Sequence, residues 1–177
     1  MKHLNLFVLF IVLAVLFYSC QQQTNMNNES AKNEAAMMKI WDAFNTGNTD
    51  SLGNYIADDA VDHAMDTAMA KSKGPEGLKE MIDAYRTAFP DLHIKSDVIA
   101  SKGDTVLGYY TFTGTNSGPF MGMPATNKSV NVNGVDIVRF QDGKAVEHWE
   151  VTDQLGFMRQ MGLIPPKSEP MQKNKMK

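Results

Sequence analysis

From residue 31 onward the apolar positions recur first every three or four residues and then every two, and that change divides the chain. Between Ala31 and Asn45, Met37, Trp41 and Phe44 fall at i, i+4 and i+7, with Met38 beside them and Lys39 and Asp42 outside. This spacing predicts an amphipathic helix that stops at Gly47. A second, short helical turn is expected over Asp50 to Ile56. Asp58 to Met65 alternates, with Val61, His63 and Met65 on one side, and predicts a short strand. Gly74-Pro75 opens the clearest helix: Leu78, Met81, Ile82, Tyr85 and Phe89 form one apolar stripe, and Pro90 ends it. Everything after Pro90 reads as strand. Leu92–Ser101 turns at Lys102-Gly103-Asp104 into Thr105–Thr115, and a Gly/Pro loop, Asn116–Lys128, leads to Ser129–Phe140. A turn at Gln141-Asp142-Gly143 gives the last strand, Ala145–Thr152, and a short helix over Asp153–Met161 closes the chain. Helices first and an antiparallel meander afterwards predict an α+β fold, with helices packed on one face of a curved sheet. Such layers can enclose a pocket between them.

The N-terminus follows a different pattern. Lys2 and His3 precede an apolar run from Leu4 to Tyr18, interrupted only by Asn5. That is short of the about 20 apolar residues a spanning helix needs, and it has the layout of a secretory signal. Leu16-Phe17-Tyr18-Ser19-Cys20 resembles the lipobox of bacterial lipoproteins, with bulky residues at Phe17 and Tyr18. The resemblance implies cleavage after Ser19 and lipidation of Cys20, the one cysteine of the chain. The competing reading is a plain secretory signal with Cys20 incidental. With a single thiol, no internal disulfide can form. A diacyl anchor would hold the protein to a membrane surface without crossing it. Gln21 stands where the lipoproteins of enterobacteria carry an aspartate for inner-membrane retention. The expected location is therefore the cell envelope, at the outer membrane or the periplasmic face.

Residues 1–19 thus read as a signal peptide and 20–30 as a flexible tether, since QQQTNMNNES has too little apolar surface for a core. The Pro- and Lys-rich stretch 165–177 reads as a disordered tail, which leaves residues 31–164 for one domain. The formal charge of −3 becomes −4 once Lys2 leaves with the signal, and no basic cluster is present. That balance argues against nucleic-acid binding.

The strand from Ser129 to Phe140 carries the most informative residue. Its even positions are Val130, Val132, Gly134, Asp136, Val138 and Phe140, so one carboxylate sits in an apolar row. A buried carboxylate needs a partner, a raised pKa or a wet cavity. On the last strand His148 and Glu150 share a face, while Glu147 and Trp149 take the other. A three-residue loop with Gly143 left-handed would set Asp136 opposite His148, with Glu150 diagonal to it. A two-residue Asp142-Gly143 turn would put them on opposite faces. The matching polar rows favour the first. Two acids and a histidine converging in an apolar cup suit general acid–base work. An ion-paired hairpin at a solvated rim is the plainer alternative.

His63 could line the same cup or be a satisfied core histidine. Asp153 fits an N-cap, and His93 an exposed strand position. Phe120 and Met121, with Met123, could form an apolar lid in the Gly/Pro loop. The histidines have no metal-ligand spacing, and neither a phosphate loop nor a nucleophilic triad is present, so no metal or cofactor is expected.

Asp62-His63, Gly74, Phe89-Pro90-Asp91-Leu92, Gly114-Thr115-Asn116, Gly118, Phe120, Gly122, Pro124 and Lys128 recur in one family, together with Asp136-Ile137-Val138-Arg139-Phe140, Asp142-Gly143-Lys144 and Glu147-His148-Trp149. Their order and spacing, from about Ala31 to Leu163, resemble the SnoaL-like, polyketide cyclase-like branch of the nuclear-transport-factor-2-like superfamily. The resemblance implies a cone-shaped α+β barrel with a ligand cup, often dimeric through its sheet. In the cyclases an acidic residue on the final strand is the general acid/base of an aldol ring closure. Glu150 matches that position, where aspartate is usual, and Asp136 matches a polar pocket partner.

Three functions remain open from the sequence. The first is an envelope enzyme using Glu150 and Asp136 on a small apolar carbonyl compound, with His148, His63, Phe120 and Met121 lining the pocket. The second is a tethered module that binds an apolar or aromatic molecule unchanged. The third is a structural lipoprotein that forms a homodimer through its sheet.

Overall fold

The computed structural model describes residues 26–64 and 70–165. Helix α1 is helical from 26 to 46 and is followed by a 3-10 turn, Leu52–Asn54. Strand β1 (Ile56–Asp62) and helix α2 (Gly74–Ala88) come next. Four strands follow: β2 (His93–Lys102), β3 (Thr105–Thr115), β4 (Ser129–Gln141) and β5 (Lys144–Thr152). Helix α3 (Gln154–Gln160) closes the described chain. The expected helices and strands are therefore present, in an α+β arrangement with a five-stranded sheet.

Three features differ from expectation. Residues 26–30, read as tether, are helical, because the strongly helix-forming stretch behind them continues backward past the polar residues. The sheet is not wholly antiparallel: its order is β1-β5-β4-β3-β2, and β1 joins β5 in parallel at the edge. The β4–β5 hairpin also closes differently. Asp142 (φ 52°) and Gly143 (φ 79°) make a two-residue turn that pairs Gln141 with Lys144, not the expected three-residue loop. Alone, that turn would send Asp136 and Glu150 to opposite faces. A β-bulge then shifts the register between Phe140 and Arg139: Phe140 pairs Ala145 but Arg139 pairs Glu147, leaving Val146 as the extra residue. Because side chains alternate with period two, one inserted residue restores the shared face.

The core lies between the inner sheet face and the helices. Met37 and Trp41 of α1, Ile82 of α2 and Phe89 just after it pack on Val106, Phe112, Val130, Val132, Val138 and Phe140, all buried. Phe89, Phe112, Phe120 and Phe157 add a chain of edge-on and tilted ring contacts under the 116–128 loop. Fully buried Asn116 organises that loop, since its side chain donates to the Gly118 carbonyl (2.8 Å) and accepts from the Thr126 amide (2.7 Å).

Candidate functional site

Where the core approaches the β1 edge, three inner rows of the sheet become polar. Val106, Val138 and His148 lie side by side across β3, β4 and β5, with Asp62 of β1 beyond His148. The next row is Gly108, Asp136 and Glu150, and the one after it Tyr110, Gly134 and Thr152. Asp136 thus faces Glu150 directly and His148 diagonally.

His148 is held from both sides. Its Nδ1 lies 3.0 Å from Asp62 Oδ1 and its Nε2 3.3 Å from Asp136 Oδ1. Burial opposes charge on this ring, yet hydrogen bonds to Asp136 and Asp62 outweigh it and push the pKa up to about 10. His148 is therefore an imidazolium at neutral pH, with both N–H groups committed to carboxylates. The second Asp136 oxygen is committed too: Trp41 donates its indole N–H to Oδ2 at 2.7 Å. The carboxylate foreseen in the apolar row of β4 is thus half-buried, and each of its oxygens has a partner.

Glu150 is placed differently. Both of its hydrogen bonds arrive at Oε1, from the Tyr110 hydroxyl and from Thr152 Oγ1 (2.6 Å). Among the described residues nothing bonds Oε2, and the residue is exposed. Tyr110 itself is buried. Burial and the neighbouring charges of Glu150 and Asp136 raise its phenol well above the ordinary value, so it stays a donor.

The other expected residues lie apart from this centre. His63 is on the outer face of the sheet, stacked on Trp149 with ring centroids 4.7 Å apart and planes 8° apart. Its Nε2 is 3.7 Å from Glu147, which Arg139 holds at 2.7 Å. Asp62-His63 therefore clamps His148-Trp149 from the sheet edge: Asp62 inside on His148, His63 outside on Trp149. Phe120 is buried against Tyr85 and Phe89 and anchors its loop, whereas the expectation was a lid. Met121 is half exposed at φ 49°. Phe120 and Met121 border a surface recess of about 330 Å³ with Asp83, Thr87 and Gly122, none of which belongs to the acidic centre. Asp153 caps α3, accepting from the Gly156 amide at 2.8 Å. Cys20 lies outside the described residues. Among those described, no cluster of His, Cys, Asp or Glu is arranged for a metal ion.

Trp41, Tyr110, Thr152 and Asp62 are site residues that the sequence did not single out as such, although Thr152 shares the predicted face of His148 and Glu150 and Asp62 belongs to the family motif. Tyr110 left a usable signal, because a tyrosine in the buried row Val106, Gly108, Tyr110, Phe112 needs a partner for its hydroxyl. Trp41 left none, since its spacing on α1 is that of an ordinary core residue.

Comparison with known proteins converges on one family. The description of the SnoaL-like polyketide cyclases matches residues 35–161. The nogalonic acid methyl ester cyclase of Streptomyces nogalater is 30% identical over 126 residues, 68% of this chain and 90% of that protein. The aklanonic acid methyl ester cyclase DauD of Streptomyces sp. strain C5 is 27% identical over 70% of this chain and 78% of its own length. Among solved structures, TsrD of Streptomyces laurentii superposes with a TM-score of 0.69 at 28% identity, covering 76% of this chain and 97% of TsrD.

Proposed function

The chain belongs to the SnoaL-like polyketide cyclase family, and from that premise we propose that it is an acid–base catalyst acting on an uncharged carbonyl compound, with Glu150 as the base. The carrying observation is the division of labour between its carboxylates. Asp136 has both oxygens engaged by Trp41 and His148, whereas exposed Glu150 has Oε1 restrained and, among the described residues, no partner at Oε2. A carboxylate held by one oxygen is oriented yet can still accept a proton through the other. Asp136 then serves to hold His148 and the floor of the site, which separates the roles of the two acids expected from the sequence. Among the aligned relatives the named substrates are methyl esters. Three carboxylates facing one imidazolium disfavour an anionic substrate, and an ester removes that charge.

In this reading Glu150 takes a proton from the carbon next to a carbonyl, and the resulting carbanion attacks a second carbonyl within the same molecule. The proton then returns from Glu150 to the new alkoxide, so ring closure consumes no other reagent. The test is turnover of aklanonic acid methyl ester by the purified domain, followed by mass-neutral conversion to a ring-closed product. Glu150→Gln should lower kcat about 10²- to 10⁴-fold, the usual worth of a general base. Equal rates for both proteins would remove Glu150 from the chemistry. Ligand-induced shifts without conversion would make the domain a binding module.

We also propose the location and assembly expected from the sequence. Cys20 carries a lipid that tethers the domain to the envelope, so a labelled fatty acid should enter the wild-type chain but not Cys20→Ala, which should leave the membrane fraction. Label in Cys20→Ala would locate the acylation elsewhere.

A further inference from the structure

We infer that Tyr110 and Gly134 form one positioning unit for Glu150, in which the glycine exists to let the tyrosine cross a strand. The inference rests on the reading of Glu150 as the base. Tyr110 stands on β3 directly opposite Gly134 on β4, and Glu150 and Thr152 lie on β5, one strand further. To reach them the phenol must lie flat over β4. A Cβ at position 134 would sit 2.9 Å from Tyr110 Cε1 and closer still to Cζ and the hydroxyl, so any side chain there would lift the ring off the sheet. The backbone at Gly134 has no positive φ that would call for glycine, which leaves the close approach of the ring as the reason.

The same construction appears one row away, which makes a chance vacancy a poor explanation. Trp41 lies over Gly108, where a Cβ would meet Trp41 Cζ2 and Met37 Cε at 2.6 Å, and its indole N–H reaches Asp136, the strand partner of Gly108. Each glycine admits one aromatic ring, and each ring delivers one donor to a carboxylate on the neighbouring strand. The two rings meet edge to face, with centroids 5.7 Å apart. Glu150 has three side-chain torsions and an exposed position, so without help it would sample many rotamers. Two hydroxyls on Oε1 select the rotamers that leave Oε2 facing outward, and such restraint raises the fraction of productive encounters.

Tyr110 touches no reacting atom in this scheme; it acts through Glu150. Tyr110→Phe keeps the ring over Gly134 and removes only the donor. It should fold with an unchanged far-ultraviolet spectrum and lower kcat for aklanonic acid methyl ester about tenfold with KM unchanged. Gly134→Ala, which keeps the tyrosine, should lose the same factor, and the double variant should be no worse than either alone. A readout independent of turnover is the tyrosine hydroxyl proton by NMR. In wild type it should exchange slowly and resonate downfield of the amides. It should vanish in Tyr110→Phe and move upfield in both Glu150→Gln and Gly134→Ala. A hydroxyl signal indifferent to Glu150→Gln and Gly134→Ala, or additive losses in the double variant, would overturn the unit. Should wild type leave the ester untouched, the base reading fails while the hydroxyl signal still decides whether the unit exists.

Discussion

His148 illustrates how far one residue's properties depend on its neighbours. A free imidazole titrates near 6.5, but this ring, between Asp62 and Asp136, is pushed up to about 10. The folded-state pKa is raised, so the stabilisation is fully present below the unfolded value and is lost as pH climbs through the folded one. Wild type should therefore lose on the order of a few kcal/mol between pH 6.5 and pH 10 from this group. His148→Asn should start less stable and change little over that interval. Denaturant midpoints at intervals across it check the sign, and parallel curves for the two proteins would show that His148 is not charged in the fold. Trp41 and Tyr110 work at the same scale from the donor side. Trp41 reads in the sequence as an ordinary helix residue, and Tyr110 shows only that its hydroxyl needs some partner, because neither spacing reports what lies across a layer.

At the scale of elements, the β4–β5 hairpin decides the site. Turn and bulge each shift the register by one, and only their combination returns His148 and Glu150 to the side of Asp136. Deleting Val146 would remove only the unpaired residue: Phe140 would still meet Ala145 and Arg139 would still meet Glu147, so His148 and Glu150 would keep their face while the local bend of the bulge is lost. The docking of α1 on β3 is a second such device. Gly108→Ala would force a methyl group within 2.6 Å of Trp41 and Met37, both buried. Overpacking of this kind costs about 1–3 kcal/mol. We expect that loss in chemical denaturation, together with a shift of the Trp41 indole N–H signal as its bond to Asp136 loosens. The chain has two tryptophans, so the second, Trp149, is an internal control. An unchanged indole signal would mean that α1 does not rely on this contact to place Trp41.

For the whole molecule, the two faces of the sheet have opposite character. The inner face is covered by helices and ends in the acidic centre. The outer face carries two apolar rows, Val98-Tyr109-Val135-Val151 and Leu107-Ile137-Trp149. Val98, Leu107, Tyr109 and Val151 are exposed, Val151 at 69%. A contiguous apolar face of this kind suits a second copy of the chain, and a stable pair buries about 800 Å² per partner. The domain freed of its first 25 residues should sediment as a dimer, and Leu107→Lys with Val151→Lys should sediment as a monomer that keeps its helical content. A monomeric wild type at micromolar concentration would rule out that use of the face. His63, Glu147 and Arg139 border these rows and Trp149 belongs to one, so the family pattern around Glu147-His148-Trp149 serves both faces of the strand at once.

The sequence by itself determined the order and type of nearly every element, because period and turn residues are local properties. It also placed Asp136 in an apolar row and Glu150 on the final strand, and the family likeness followed from those residues in that order. Tertiary structure alone decided which atoms meet. The bulge at Val146 restores a face that the two-residue turn would have lost, and it depends on the whole ladder of β4. The parallel pairing of β1 brings Asp62 to His148 from more than eighty residues away. Gly108 and Gly134 look like interruptions in their strands until Trp41 and Tyr110 are laid across them. Such contacts run between layers and across strands, where spacing along the chain carries no signal.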